Sequence, residues 1–309
     1  MSVTGASGSS VDFESNPPSY HPSFSAQDAD IIFVSDDGVL FRVHKFVLQF
    51  GSGFFKGMME MTRDPAEATA NEPIRIQENS KVFAMLLDII YPDREPPALE
   101  SLEFANEVLQ AAEKYEMRKA THSICLLVMS QQQKFLTQQP LEVYALASRY
   151  GWVEAAKFAS TETLQFDLYS PNCSASLRRL DGDMSLRLFG LHARRRRALL
   201  KALNPEVVSI PGVEWANVIV LPTSCSKNHF YTASVRQGPW IILRDLVAQE
   251  MEVEPRGNAI RKRSFIDQEA LLDMWRFTCA AADCRTIVFS KDRVHAELIR
   301  LLDLLPSSI

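Results

Sequence analysis

The strongest constraint on the fold comes from a short block near the N-terminus, where two apolar segments flank a turn. Ile31–Val34 is an apolar run rich in β-branched residues, and Val39–Val43 is an apolar run that alternates apolar and polar side chains at its end. Residues 35–38 between them read Ser-Asp-Asp-Gly, and the Asp-Gly pair favours the positive φ angles of a hairpin turn. This block therefore predicts a β-hairpin.

Helical spacing of apolar residues dominates the rest of the chain. Short helices are predicted from His44 and around Phe54, on either side of a break at residues 51–53, and residues 74–76 are predicted to form a third short strand. Further helices are predicted over residues 82–90, 102–117, 123–129, 141–164 with a break at Gly151, 177–203, 240–250, 267–283 and 294–305. Two more short strands are predicted at 218–221 and 286–289. The sequence thus predicts an α+β fold with a short sheet flanked by helices, followed by a mainly helical region.

A Ser/Pro-rich segment precedes the hairpin. Residues 1–25 contain eight serines and three prolines, with only scattered apolar residues. Such a segment cannot bury enough apolar surface to offset the entropy that it would lose on ordering. A Gln-rich stretch that ends at Pro140 is typical of a domain boundary. We therefore divide the chain into a disordered tail (1–25), an α+β domain (26–130) and a mainly helical C-terminal module (131–309).

Composition and charge exclude several classes of protein. The chain has 309 residues, of which 46% are hydrophobic, as is ordinary for a soluble globular protein. Its net charge of -5 gives no overall attraction to nucleic acid or anionic membranes. No apolar run approaches the ~20 residues that a membrane helix needs, and the N-terminus has no apolar signal-peptide core. We therefore expect a cytosolic or nuclear protein whose five cysteines are free thiols.

The order of these motifs resembles the BTB/POZ domain. The residues that carry the resemblance are Asp30–Val34, Val39–Leu48, Phe54–Met58, Phe83–Tyr91 and Ala111–Tyr115. The resemblance covers the predicted domain at 26–130, and it is specific because several motifs occur in the right order at the right distances. Residues 140–157 are similar to a large group of fungal BTB proteins.

The resemblance implies a non-catalytic protein that binds other proteins. BTB domains form homo- or hetero-oligomers, and many recruit cullin-type ubiquitin ligase scaffolds or transcriptional corepressors. We therefore predict an adaptor or scaffold that binds a cullin scaffold or another BTB protein, and the alternative is a nuclear, transcription-associated regulator that assembles through its BTB domain. No cofactor, small-molecule substrate, nucleic acid or membrane is expected as a partner. Dimeric members carry an additional helix before the hairpin, a position that the Ser/Pro-rich segment occupies here.

The predicted partner-binding residues are apolar or lie in a motif that the resemblance suggests: Phe46, Phe50, Phe54, Met58, Met59 and Glu60. Packing in the core is the competing interpretation for each apolar member. Cullin-recruiting BTB domains often carry a hydrophobic-x-Glu motif in the loop before the third strand. Met58-Met59-Glu60 falls early for that motif, and Pro65-Ala66-Glu67 lacks its large apolar residue.

Three residues of the BTB motif are predicted to be structural. Asp30 and Lys45 match positions that form a charged pocket in some dimeric BTB domains, but a charge this close to a core is normally paired. His44 has no Cys, Asp or Glu at ligand spacing, and a lone His beside an apolar strand is more often a partly buried structural residue than a base.

Two further groups of residues have both a functional and a structural interpretation. Cys225, His229, Cys279 and Cys284 supply the four N and S ligands of a tetrahedral zinc site, but their spacing is unusual and a buried cysteine is more often a small hydrophobe. Arg194–Arg197 is an Arg-rich run of the kind that contacts phosphates, although a basic face of an amphipathic helix, answered by acidic residues such as Glu250, Glu252 and Glu254, also explains it. Nucleotide-binding, metalloprotease and hydrolase motifs are absent from the sequence.

Overall fold

The computed structural model describes most of the chain, in two compact units. The described residues are 19–61, 72–95, 98–130, 134–203, 238–278, 287 and 289–309. The first unit is Met1–Leu127 and the second is Val128–Ile309. Among the described residues, no helix is long and apolar enough to cross a bilayer.

A small sheet with strand order β2-β1-β3 forms the first unit's framework. Strand β1 (Ile31–Val34) pairs antiparallel with β2 (Leu40–Val43), and β3 (Ile74–Arg75) pairs parallel with β1. Gly38 in the connecting turn has a φ of 82°, a conformation that glycine adopts without steric cost. The predicted hairpin and third strand are therefore confirmed.

Helices follow the hairpin in the order that the sequence predicts, and β3 lies between the second and the third of them. They are α1 (Lys45–Gly51), α2 (Gly53–Glu60), α3 (Ser80–Ile90), α4 (Leu102–Lys114) and α5 (Arg118–Ser130). Side-chain oxygens of Ser52, Asn79 and Ser101 accept hydrogen bonds from first-turn backbone N–H groups of α2, α3 and α4, which otherwise lack partners. The helix predicted to reach residue 117 ends at Lys114, because Glu116 turns the chain with a φ of 54°.

An aromatic cluster fills the core between the sheet and the helices. Phe33 of β1 contacts Phe55 of α2 and Phe83 of α3 with ring centroids 5.3 Å apart in each pair. Phe41 of β2 meets Phe83 edge to face at 5.1 Å. All four rings are fully buried. The hairpin, α2 and α3 therefore pack against one another through a single aromatic cluster.

Residues 19–24, which the sequence predicts to belong to the disordered tail, instead lie along the outer edge of β2. Leu40 N–H donates to Ser19 O at 3.0 Å, His21 N–H donates to Leu40 O at 2.7 Å, and Arg42 N–H donates to Phe24 O at 2.8 Å. Phe24 is 2% exposed. An edge strand presents unpaired N–H and C=O groups, and this segment satisfies them. Residues 1–18 lie outside the described residues.

The second unit is helical, as the sequence predicts. Its helices are α6 (Pro140–Arg149), α7 (Val153–Thr163), α8 (Ser174–Leu177), α9 (Gly182–Ala202), α10 (Pro239–Val253), α11 (Asn258–Arg261), α12 (Arg263–Ile266), α13 (Leu272–Arg276) and α14 (Lys291–Leu304). Pro171–Cys173 and Glu269–Leu271 form single 3-10 turns. Gly151 has a φ of 69° and separates α6 from α7, which confirms the predicted break.

Some predicted boundaries in the second unit differ from the structure. The helix expected over 177–203 is divided, because the Asp181 side chain accepts the Met184 N–H and starts α9 anew. The helix expected over 267–283 ends at Arg276, and Thr278 forms an antiparallel bridge with Ile287. Of this bridge, Ile287 lies within the strand predicted at 286–289. The strand predicted at 218–221 lies outside the described residues.

A buried arginine ties the middle of α9 to the end of α14. Arg195 is 5% exposed, and its Nε donates to Pro255 O at 2.7 Å. Its Nη atoms donate to the carbonyl oxygens of Leu302, Leu305 and Pro306 at 3.2, 3.2 and 2.9 Å. The last carbonyls of a helix lack partners within the helix. The guanidinium group therefore caps α14 from the side.

Burial of His192 makes stability of the second unit depend on pH. The Thr163 hydroxyl donates to Ser160 O at 2.7 Å, so its oxygen accepts from His192 Nε2 at 3.2 Å. Burial lowers the pKa of His192 to about 4; Arg195 adds to this shift and Asp167 opposes it.

Between pH values of about 4 and about 6.5, His192 is protonated in the unfolded state but neutral in the folded state. The unfolded state therefore binds more protons than the folded state in this range. We therefore expect the free energy of unfolding to fall as pH drops from about 6.5 towards 4. Urea unfolding on either side of this window measures the effect. The free energy of unfolding should depend less on pH in His192→Gln. It should keep the wild-type pH dependence in the control His122→Gln, whose side chain is exposed. Equal slopes in both variants would contradict this assignment.

Candidate partner-binding surface

A fixed corner between α1 and α2 presents the predicted partner-binding residues. A Cβ atom on Gly51 would lie 2.9 Å from Ile90 Cβ, so glycine allows α1 to approach α3 closely. Ser52 is buried, and its hydroxyl donates to Tyr115 O at 2.6 Å while accepting from Phe55 N–H at 3.1 Å. The corner is therefore anchored to two other parts of the first unit.

Large apolar side chains on this corner face solvent. Phe50 is 92% exposed and Phe46 is 58% exposed, and their i, i+4 spacing places them on one side of α1. Phe54 and Met61 are also exposed, and the Phe54 ring lies 5.5 Å from that of Tyr115. We call Phe46, Phe50, Phe54 and Met61 the α1–α2 aromatic surface. Because these side chains are exposed, core packing does not explain them.

The remaining predicted partner-binding residues lie at the end of α2. Met58 and Met59 are half-buried, and Glu60 is exposed. Met61 was not among the predicted residues, and it lies directly after the end of α2 in an extended conformation. The second candidate for the cullin motif, Pro65-Ala66-Glu67, lies outside the described residues. Partner binding by any of these side chains stays a prediction.

The residues of the BTB motif make structural contacts next to this surface. The Asp30 carboxylate accepts the backbone N–H of Lys45 at 3.0 Å, whereas the α1 N-cap residue, His44, makes no side-chain capping bond. Asp30, the residue before β1, therefore caps α1. His44 N–H donates to the Tyr91 hydroxyl at 3.0 Å, and its Nδ1 lies 3.1 Å from the same oxygen.

Replacing Asp30 with alanine should destabilise the first unit by about 1 kcal/mol, because a first-turn N–H of α1 loses its side-chain acceptor. The shift in the urea unfolding midpoint measures this loss. Asp28→Ala is the matched control, since the Asp28 carboxylate is exposed and lies 3.5 Å from His44 Nε2, a surface pair that contributes little. Equal midpoints for the two variants would argue against a capping role.

Titratable groups in the first unit also serve packing. The Tyr115 hydroxyl donates to the Glu78 carboxylate, and burial together with Glu78 raises the pKa of Tyr115. Lys114 donates to Glu78 at 2.9 Å, so that this carboxylate is paired. Asp37, at the hairpin tip, accepts from the N–H and hydroxyl of Ser80. These contacts tie the hairpin and α4 to the start of α3.

The zinc candidates Cys225, His229, Cys279 and Cys284 all lie outside the described residues. Within the described ranges, no group of three or more His, Cys, Asp or Glu residues is placed to hold a metal ion.

The first unit thus combines a hairpin-led three-stranded sheet and short helices with an exposed aromatic corner. Residues 21–132 match the family model of the BTB/POZ domain. Residues 21–132 are therefore a BTB/POZ domain, and the match begins within the segment that packs along β2. A search among curated proteins found no match to this chain. BTB/POZ domains are interaction modules.

Proposed function

We propose that this protein is a non-enzymatic adaptor or scaffold of the cytosol or nucleus, and that its α1–α2 aromatic surface binds a partner protein. The exposure of Phe46, Phe50 and Phe54 on one rigid corner carries this proposal. Single exposed apolar residues are common, but aromatic side chains concentrated on consecutive short helices are typical of interaction sites.

Binding at this surface would gain free energy mainly from apolar burial. Fully burying a Phe side chain contributes roughly 1.5–3 kcal/mol relative to leaving it exposed. Phe50 has the most to gain, because it is almost fully exposed. The corner is already fixed by Ser52 and Gly51, so little backbone ordering opposes binding.

A cullin-type ubiquitin ligase scaffold is the partner class that we favour. The BTB/POZ match supports it. Met58-Met59-Glu60 at the end of α2 is the described candidate for the hydrophobic-x-Glu motif, although it falls early for that motif. In this proposal the second unit selects the client protein. Another BTB protein is the alternative partner for the same surface.

Calorimetric titration of the full chain with the N-terminal helical domain of a cullin scaffold tests this proposal. We expect micromolar or tighter binding, which Phe50→Ser weakens about tenfold or more through lost apolar burial. Glu60→Lys should weaken it as well. Phe158→Ser is the matched control, because Phe158 is an exposed Phe in the second unit. Absence of binding at high concentration, or equal weakening by the control, would reject cullin recruitment through this surface.

A further inference from the structure

The run Arg194–Arg197 is divided by the register of α9. Arg195 points inwards and caps α14. Arg196 donates to Ala248 O at 3.3 Å and forms an ion pair with Glu252 at 3.2 Å. Arg194 and Arg197 are exposed on the opposite side. Within the part of the chain that the structure describes, neither forms an ion pair. Contacts within the second unit therefore account for Arg195 and Arg196, and Arg194 and Arg197 form the solvated basic face that an amphipathic helix also predicts.

Four cations share the solvent-facing side of α9. Arg187, Arg194, Arg197 and Lys201 follow each other at intervals of seven, three and four residues, which places them on one face of a helix. We call these residues the α9 basic row. It extends roughly 21 Å along the helix at 1.5 Å per residue. Its first member pairs with Asp183 at 2.8 Å, and the other three form no ion pair among the described residues.

The basic row is electrostatically unfavourable without a partner. Like charges three or four residues apart on a helix repel each other, and Arg194, Arg197 and Lys201 have this spacing. Gly190 leaves room on the same face, and the Arg194 guanidinium group lies over it, with Nη1 only 3.3 Å from where a Cβ atom would stand. An acidic ligand would relieve the repulsion and accept hydrogen bonds from these side chains.

An exposed apolar cluster adjoins the start of the row. Tyr169 is 79% exposed and Leu186 is 75% exposed. The Tyr169 ring lies 5.4 Å from that of Phe189, which is half-buried on the next turn of α9. Tyr and Arg side chains are enriched among the residues that dominate binding energy at protein interfaces. The surface thus offers apolar contacts at one end and positive charge along the rest.

We propose that the α9 basic row and this cluster bind an extended, acidic segment of a partner protein that carries large apolar side chains. About six extended residues match the length of the row. Nucleic acid fits less well, because the chain has a net charge of -5 and the exposed cations lie on a single helix face. This site belongs to the second unit and shares no residue with the α1–α2 aromatic surface.

Fluorescence anisotropy with a short labelled peptide that contains glutamates and leucines tests the proposal on the full chain. We expect saturable binding that weakens as salt rises, and about tenfold weaker binding by Arg194→Glu combined with Arg197→Glu. Arg118→Glu combined with Lys119→Glu changes the net charge equally at exposed positions of the first unit. This control should retain the wild-type affinity.

Two further comparisons separate the proposal from simple charge attraction. Leu186→Ser should weaken binding of the leucine-containing peptide but leave binding of its alanine counterpart unchanged. A peptide with glutamine in place of glutamate should not bind. Equal loss in the control charge reversal, or tighter binding of duplex DNA than of the peptide, would overturn the proposal. Unchanged melting temperatures would show that the variants remain folded, since the altered side chains are exposed.

Discussion

The Arg195→Met variant should lose about 3–5 kcal/mol of the free energy of unfolding of the second unit, because buried carbonyl groups lose their charged donor. Methionine fills much of the same volume but donates nothing to Pro255 O or Leu302 O. Burial, with Arg261 and Arg256, lowers the pKa of Arg195 to about 10. The group therefore remains charged at neutral pH, and its hydrogen bonds are charge-assisted.

Hydrogen exchange in α9 and α14, measured at increasing denaturant concentrations, reports this loss of stability. Arg194→Met is the matched control on the neighbouring, exposed position, and it should change stability by less than about 0.5 kcal/mol. Arg195→Lys should fall between the two, since lysine keeps the charge but lacks the planar fork of donors. A variant Arg195→Met that is as stable as the control would contradict the capping role.

Replacing Phe33 with alanine should destabilise the BTB/POZ domain by about 3–5 kcal/mol, the usual cost of removing a buried Phe ring. Phe33 is fully buried and contacts both Phe55 and Phe83. Its loss therefore opens a cavity among the hairpin, α2 and α3. Phe33→Leu should cost less, because it retains most of the apolar volume.

Hydrogen exchange in β1 and α3 reports this loss without assuming that the two units unfold together. Phe46→Ala is the matched control, since it removes the same ring from an exposed position. It should leave exchange in the core unchanged while weakening partner binding. Similar exchange in Phe33→Ala and Phe46→Ala would contradict the assignment of one ring to the core and the other to the surface.

Local patterns predicted the hairpin and most helices, because turn chemistry and helical spacing are contained in short windows. The Asp-Gly turn needed only Asp37 and Gly38. By contrast, the burial of Phe24 depends on Phe41 and Tyr91, whose rings lie 5.9 and 5.6 Å away. A window that ends near residue 25 does not contain those partners, so the segment resembled a tail.

The sequence predicts most residues of the α1–α2 aromatic surface. It does not predict that their side chains are exposed. The spacing of Phe46, Phe50 and Phe54 is equally compatible with a core face, and only packing against α3 decides which rings are left outside. Arg195 did carry a sequence signal. It lies four residues after Leu191 and four before Leu199, in the middle of the buried face of α9. Because a charged side chain is rarely buried, the helical spacing alone did not predict that Arg195 is buried.

Partner binding by the α1–α2 aromatic surface can be tested by affinity purification with three chains. These are the wild type, the variant Phe46→Ser combined with Phe50→Ser, and the control Phe158→Ser. All three should be folded, because the altered side chains are exposed. We expect partner proteins that are recovered with the wild type and the control and are lost with the double variant. Recovery of the same proteins with all three chains would contradict an adaptor function of the α1–α2 aromatic surface.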